Sequence, residues 1–91
     1  MTMPSRSLYI RNKLGLHARA SARFVSTASR FGCDIRLRKG EIEVNGKSIM
    51  GIMMLAAAKG SELTLSAEGE DAEMALDALE DLVNDRFGEP E

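Results

Sequence analysis

His17 is the only histidine of this 91-residue chain, and it lies in the sequence Gly-Leu-His-Ala-Arg-Ala at residues 15–20. A neutral imidazole is a nucleophile near neutral pH, and Arg19 is a permanent cation two residues further on. The pattern that follows predicts a helix, whose first backbone N–H groups, those of Ala18 and Arg19, can bind an anion. No Ser, Thr, Asp or Asn occupies residues 15–18 to cap them. These groups together predict a place that holds a phosphoryl group.

Other kinds of site have weaker support in the sequence. His17 has no cysteine, second histidine or close carboxylate beside it, so a metal site lacks ligands. A Ser-His-Asp triad also lacks an acid near His17 in the sequence, although the fold could bring one in. Gly46-Lys47-Ser48 resembles the end of a phosphate-binding loop, but that loop needs a glycine where this chain has Glu41. We expect no metal and no cofactor, and an ordinary packing role for a lone histidine stays open.

Hydrophobic periodicity predicts the elements that position His17. A strand over residues 7–12 leads into the histidine and a helix over residues 18–30 follows it. Further patterns predict strands at 34–38, 41–44 and 62–67, helices at 48–55 and 72–87, and a frayed tail at 88–91. The order β-α-β-β-α-β-α with short links predicts one α+β domain over residues 1–91. Its architecture is a two-layer open-faced sandwich, a four-stranded, mainly antiparallel sheet covered by three helices.

The first and third predicted helices carry clear faces. The predicted inward stripe of the first helix consists of Ala18, Ala22, Val25 and Ala28, and Phe24 and Phe31 flank it. Asp71 is the predicted N-cap of the third helix. The acidic face of that helix is interpreted as solvated and carries Glu73, Asp77, Glu80, Asp81 and Asp85. Cys33, the single cysteine, is interpreted as a small packing residue.

The second predicted helix is unusually apolar for its length. Ser48 is its predicted N-cap. Its inward positions are filled by Ile49, Ile52 and Leu55. Met50 and Met53 are then left exposed, where they form a soft docking surface.

Composition and charge narrow the classes of function. Residues 1–47 hold ten lysines and arginines against three acids, a net of +7, whereas residues 48–91 hold two against eleven, a net of −9. An acidic protein partner fits the basic half, while four aromatic residues and no basic-aromatic motif disfavour nucleic acid. No apolar run is long enough for membrane insertion, and residues 1–6 lack a signal-peptide core. With one cysteine and therefore no disulfide framework, we expect a cytoplasmic protein.

Three segments, taken together, resemble the histidine-containing phosphocarrier protein (HPr) family of the bacterial phosphoenolpyruvate-dependent phosphotransferase system. They are Asn-Lys-Leu-Gly-Leu-His-Ala-Arg at residues 12–19, Asn-Gly-Lys-Ser-Ile-Met-Gly-Ile-Met at 45–53, and Lys-Gly-Ser-Glu-Leu at 59–63 with Ala-Glu-Gly-Glu-Asp at 67–71. With the element order, the resemblance covers residues 7–88. The Asn-Lys-Leu-Gly sequence and the Met-rich segment are similar to the nitrogen-related branch, or to proteobacterial forms that lack a full sugar system.

The resemblance implies a phosphocarrier that has no turnover of its own. His17 would accept a phosphoryl group on Nδ1 from enzyme I, itself charged by phosphoenolpyruvate, and pass it to an enzyme IIA domain. The N–H groups of Ala18 and Arg19 and the Arg19 charge would hold the anion. Position 20 departs from the family, which often has proline there, and Ala20 predicts a first helical turn that is slightly less fixed.

The resemblance also implies a regulatory site and a partner surface. Ser48 matches a serine that a dedicated serine kinase/phosphorylase modifies in many relatives, and added charge there would disturb docking. The implied partner surface consists of Ile49, Met50 and Met53, with Arg23 and Lys47 as flanking charges. We expect a monomer.

Two other functions stay open at this point. One is a regulatory adaptor of the same fold, which binds a kinase or transcription factor without needing His17. The other is a ferredoxin-like small-ligand domain, because a β-α-β-β-α-β order is shared by unrelated functions.

Overall fold

The computed structural model describes residues 3–91. Met1 and Thr2, which belong to the segment without a signal-peptide core, lie outside the described residues. Within residues 3–91 the strands are β1 (Ser5–Tyr9), β2 (Asp34–Lys39), β3 (Ile42–Asn45) and β4 (Glu62–Glu68). The helices are α1 (Ala18–Ala28), α2 (Ile49–Met54) and α3 (Ala72–Asn84), followed by a 3₁₀ turn at Arg86–Gly88. None of the helices in this range is long and apolar enough to cross a membrane.

The strands form one antiparallel sheet in the spatial order β1-β4-β2-β3. Leu8 of β1 lies opposite Leu63 of β4, and Leu65 of β4 lies opposite Leu37 of β2. These leucines are buried beneath the helices, whereas Arg38, next to Leu37 in sequence, points to the exposed face. The period-2 alternation therefore divides the sheet into a core face and a solvent face. The predicted fold class and element order are confirmed.

The inward stripe predicted for α1 is only partly right. Its buried residues are Ala20, Ser21, Phe24 and Ala28. Ala18 and Ala22 are exposed, because the large ring of Phe24, fully buried, sets the face that turns to the core. The helix also ends at Ala28 rather than at residue 30, since Ser29 is its C-cap.

The acidic face of α3 is not simply solvated. The Arg6 guanidinium of β1 binds Glu73 at 3.1 Å, Asp77 at 2.5 Å and Glu80 at 2.9 Å. The hydrogen bonds to Asp77 and Glu80 hold the pKa of Arg6 above its ordinary value, and the bond to Asp77 is the larger cause. The edge strand β1 is therefore attached to α3 by charge as well as by its pairing with β4.

Asp71 occupies the N-cap position of α3, but the predicted side-chain cap is wrong. Its carboxylate accepts instead from the backbone N–H groups of Gly32 at 2.9 Å and Cys33 at 3.0 Å. These bonds, with that of Gly32 the largest cause, lower the pKa of Asp71. Cys33 is buried as predicted, and burial raises the pKa of its thiol. Asp71 thus joins the start of α3 to the loop that follows α1.

The fraying predicted for residues 88–91 is also wrong. Phe87 is fully buried in the core, which anchors the chain just before this segment. The N–H of Lys13 donates to the carbonyl oxygen of Glu91 at 3.1 Å, and the Lys13 ammonium lies 3.5 Å from the Glu91 carboxylate. The segment consequently lies against the loop that leads into His17.

Candidate functional site

His17 is the N-cap residue of α1, with the extended backbone angles of φ −74° and ψ 179°. Its Nδ1 accepts a hydrogen bond from the backbone N–H of Arg19 at 3.2 Å. The histidine therefore performs the capping function that no Ser, Thr, Asp or Asn provides here. The side chain is 26% exposed, so the ring stays partly accessible from solvent.

The expectation of two free N–H groups is corrected by this geometry. The N–H of Arg19 is already bound to Nδ1, whereas Ala18, the first residue of α1, has an N–H with no partner inside the helix. Because a backbone N–H can only donate, Nδ1 must carry a lone pair and no proton. The ring proton of neutral His17 is then assigned to Nε2.

Nε2 of His17 contacts the Glu89 carboxylate, which sequence reasoning did not find. The second carboxylate oxygen, Oε1, accepts from the Asn12 amide at 2.9 Å. Asn12 is fully buried and also donates to the carbonyl oxygen of Gly15 at 2.8 Å. A fixed chain of hydrogen bonds thus joins the loop, the tail and the ring.

Glu89 is held as a carboxylate by these neighbours. The hydrogen bond from Asn12 is the largest cause that lowers its pKa, followed by the bond to His17 and the charge of nearby Arg19. Its side chain is only 8% exposed. No local signal in the sequence marks this residue, since it lies 72 positions from His17 in a tail with no periodic pattern.

Arg19 is exposed beside the same ring. Its side chain lines an open pocket of about 490 Å³ together with Lys13, Leu14, Glu89, Pro90 and Glu91. The cations Arg19 and Lys13 share this pocket with the acids of the tail. An anion that enters it would meet both signs of charge, with the permanent guanidinium next to the histidine.

The outer surface of α2 is apolar and exposed. This α2 patch consists of Ile49, Met50, Met53 and Met54. The predicted exposure of Met50 and Met53 is confirmed, at 78% and 43%. Ile49, predicted to fill an inward position, is 41% exposed, because Ile52 and Leu55 alone supply the buried contacts of this short helix.

The two flanking cations have contacts within the fold. Arg23 donates to the carbonyl oxygen of Phe87, and the Lys47 ammonium donates to that of Phe31 at 2.7 Å. Arg23 is exposed and Lys47 half-buried, so both still present charge to solvent. Ser48 is the N-cap of α2, as predicted, and its hydroxyl accepts from the N–H of Gly51 at 3.1 Å.

Comparison with known proteins adds an independent observation. Residues 4–85 match the family described as "PTS HPr component phosphorylation site". The chain belongs to the HPr family. Phosphocarrier protein HPr of Pseudomonas aeruginosa is 54% identical over 90 residues, which cover 98% of this chain and 100% of the relative. An HPr of Neisseria meningitidis is also 54% identical, over 98% of this chain and 100% of the relative.

Solved structures of HPr proteins agree with the fold. An HPr crystal structure from Thermoanaerobacter tengcongensis has a TM-score of 0.94 at 49% identity, covering 98% of this chain and 100% of that one. Bacillus subtilis Crh, described as a swapped dimer, has a TM-score of 0.75 at 44% identity, covering 94% and 97%. HPr membership confirms the resemblance and sets aside the small-ligand domain. Because dimers occur among these structures, the monomer stays a prediction, as does the branch of the family.

Proposed function

We propose that this protein carries a phosphoryl group on Nδ1 of His17, accepts it from phospho-enzyme I and passes it to an enzyme IIA domain. The observation that carries the proposal is the hydrogen bond that Nδ1 accepts from the N–H of the exposed Arg19 at the start of α1, which requires a lone pair on Nδ1. Membership of the HPr family supports a carrier rather than an enzyme with turnover. We further propose a single-domain, cytoplasmic monomer.

The transfer follows from the positions of the ring nitrogens. The Nδ1 lone pair forms the new bond to phosphorus, while the bond from phosphorus to the donor breaks and its electron pair leaves with the donor. The N–H of Arg19 releases Nδ1 as phosphorus approaches and can then donate to a phosphoryl oxygen. Onward transfer reverses these steps, so a site near solvent that holds the group only moderately serves both directions.

Ala18 and Arg19 stabilise the anion in this proposal. The N–H of Ala18, which has no partner inside α1, and the positive end of the helix favour negative charge at the helix start. The Arg19 guanidinium adds a full charge from the solvent side. Position 20 is alanine, a good helix former, so the first turn keeps its geometry without proline.

The α2 patch is the proposed docking surface for both partners. Ile49, Met50 and Met53 supply adaptable apolar contact, and Arg23 and Lys47 supply positive charge for acidic partner surfaces. The N–H of Leu16 donates to the carbonyl oxygen of Ala57 at 2.9 Å, which keeps the loop before His17 beside the end of α2. A partner seated on the patch therefore lies close to the histidine.

The test is incubation with cognate enzyme I and phosphoenolpyruvate, followed by intact-mass analysis before and after mild acid. We expect a gain of one phosphoryl group that acid removes and that His17→Ala abolishes. A lack of any gain with an enzyme I that is active on another HPr would overturn the proposal.

Ser48 is the proposed regulatory site, modified by a serine kinase/phosphorylase. A phosphoryl group there adds about −1.5 to −2 of charge at the start of α2, next to Ile49 and Met50 of the docking surface. We expect Ser48→Asp to weaken enzyme I binding while Ser48→Ala does not. Equal binding by both variants would contradict this role.

A second candidate function is a regulatory adaptor. The α2 patch is exposed independently of the His17 ring, and a structural relative from Bacillus subtilis is described as a catabolite repression HPr. An adaptor would lose partner binding with Met50→Asp and keep it with His17→Ala. Loss of the partner's response with His17→Ala would favour the carrier.

A further inference from the structure

The Glu89 carboxylate beside His17 is held in place through both of its oxygens. Glu89 has one oxygen on Nε2 of His17 and the other on the amide of Asn12. The same amide donates to the carbonyl oxygen of Gly15, which fixes the direction from which Asn12 donates. Only 8% of the Glu89 side chain is exposed to solvent, although Glu89 is among the last three residues of the chain.

We infer that Glu89 is a positioning residue, which holds His17 in the tautomer that leaves Nδ1 free to react; this inference rests on the proposed function. Nδ1 accepts from a backbone N–H, and Nε2 donates to a carboxylate that can only accept. The reverse tautomer would place a proton against the N–H of Arg19 and a lone pair against Glu89. Both contacts therefore select the same form of the ring.

The carboxylate also matches the charge that phosphorylation creates. When Nδ1 bonds to phosphorus, no proton leaves the ring, because the ring proton is on Nε2. The phosphorylated ring is then a positively charged imidazolium, and its Nε2–H group faces the Glu89 carboxylate. Arg19 and Asn12 are the other charged and polar groups that contact this carboxylate or act on its charge.

Glu89→Gln separates positioning from simple anchoring of the tail. A glutamine offers one acceptor and one donor where glutamate offers two acceptors. With its oxygen toward the Asn12 amide, its NH₂ group would face Nε2 and demand the reverse tautomer. With its oxygen toward Nε2, its NH₂ group would face the Asn12 NH₂ group. In either orientation one hydrogen bond among Asn12, residue 89, His17 and Arg19 is lost.

The test is long-range ¹⁵N–¹H NMR of the ring nitrogens in the unphosphorylated full-length protein, where one histidine gives one set of signals. We expect the Nε2–H form to dominate in the wild type and the Nδ1–H form to rise in Glu89→Gln and Glu89→Ala. Since only the form with a free Nδ1 attacks phosphorus, the initial rate of phosphorylation should fall at least about twofold. Glu41→Gln, which removes the same charge from an exposed residue between β2 and β3, should change neither measurement.

Unchanged tautomer populations in Glu89→Gln and Glu89→Ala would overturn the inference, whatever enzyme I does. Failure of the wild-type protein to accept a phosphoryl group from enzyme I would overturn the proposed function instead. The two results are distinguishable because the NMR measurement uses neither enzyme I nor phosphoenolpyruvate.

Discussion

The N–H of Leu16 donates to the carbonyl oxygen of Ala57 at 2.9 Å, and this bond ties the loop before His17 to the loop after α2. Gly15 makes the approach possible. It has φ of +69°, and a Cβ placed on it would overlap the Ala57 carbonyl and lie 3.0 Å from Cα of Ala58. The histidine and the α2 patch are thus joined through a place that only glycine fits.

Gly15→Ala is therefore expected to destabilise the protein by more than backbone strain alone. Gly40→Ala is the matched control, because Gly40 has φ of +60° and open space around its missing Cβ. The control should cost about 1 kcal/mol of unfolding free energy and Gly15→Ala about 2–4 kcal/mol. Urea denaturation measures both. Equal losses of unfolding free energy in the two variants would show that the backbone at Ala57 shifts to accommodate the added Cβ with no further loss of stability.

The docking surface predicts a local effect of charge on binding. Met50 is 78% exposed, so Met50→Asp should leave the fold intact and weaken enzyme I binding by about tenfold or more. Met74→Asp is the control, since Met74 is 67% exposed on α3. Isothermal titration calorimetry measures each affinity. A similar loss in both variants would indicate a general charge effect instead of docking on the α2 patch.

The Ser48 cap predicts a stability change that is separate from regulation. Ser48→Ala removes the acceptor for the Gly51 N–H and should cost about 1 kcal/mol of unfolding free energy. Ser48→Asp keeps an acceptor and should recover most of that loss. Ser26→Ala, on the exposed side of α1, is the control and should be close to neutral. Chemical denaturation that finds Ser48→Ala neutral would contradict the cap.

The charge attachment of β1 predicts a dependence on salt. Arg6→Ala should lower the melting temperature at low ionic strength, because the guanidinium meets three carboxylates of α3. The difference from wild type should shrink as salt is added, since exposed ion pairs are screened. Arg30→Ala is the control for loss of positive charge, because Arg30 is an exposed arginine in the loop after α1. A salt-independent difference would point to lost packing of the Arg6 stem.

The lowered pKa of Glu89 predicts how the tail responds to acid. A carboxyl whose pKa is lower in the folded protein stabilises the fold above its unfolded value, and this stabilisation disappears as the pH falls through the folded value. The tail should therefore stay docked as the pH falls to the ordinary glutamate pKa of about 4.3, and release only below it. Amide NMR shifts of Gly88 and Glu89 report the release, and Glu89→Gln should abolish the transition. Release at or above an ordinary glutamate pKa would contradict the assignment.

Most of the fold was accessible from local pattern. Alternation in β2 and β4 and helical spacing in α3 reflect burial that each element requires by itself, so their order and type are predicted correctly. The α1 stripe was harder, because several small alanines give no clear face and Phe24 decides it through its volume. Asp71 shows the same limit, since its better partners lie in a loop 38 or 39 positions away.

The site divides in the same way. His17 and Arg19 were accessible because they are neighbours in sequence and a helix starts between them. Glu89 was not, because only the completed fold brings the tail to the loop, and its partner Asn12 is a polar residue with no hydrophobic period. The capping role of His17 itself was missed because histidine is not among the usual N-cap residues.

The place of β4 between β1 and β2 has a consequence for synthesis. Of the strand pairs in residues 3–91, β2 with β3 joins strands that are adjacent in sequence. In contrast, β1 and β2 both pair with β4, so Leu8 and Leu37 gain their partners Leu63 and Leu65 only after β4 has been synthesised. A nascent chain that has not yet released β4 from the ribosome can form the β2–β3 hairpin, α1 and α2, but it cannot close the sheet. Such non-local pairing raises the contact order and slows folding relative to a helical bundle. The loop with His17 therefore gains its support from the sheet late, after the acidic second half of the chain has emerged.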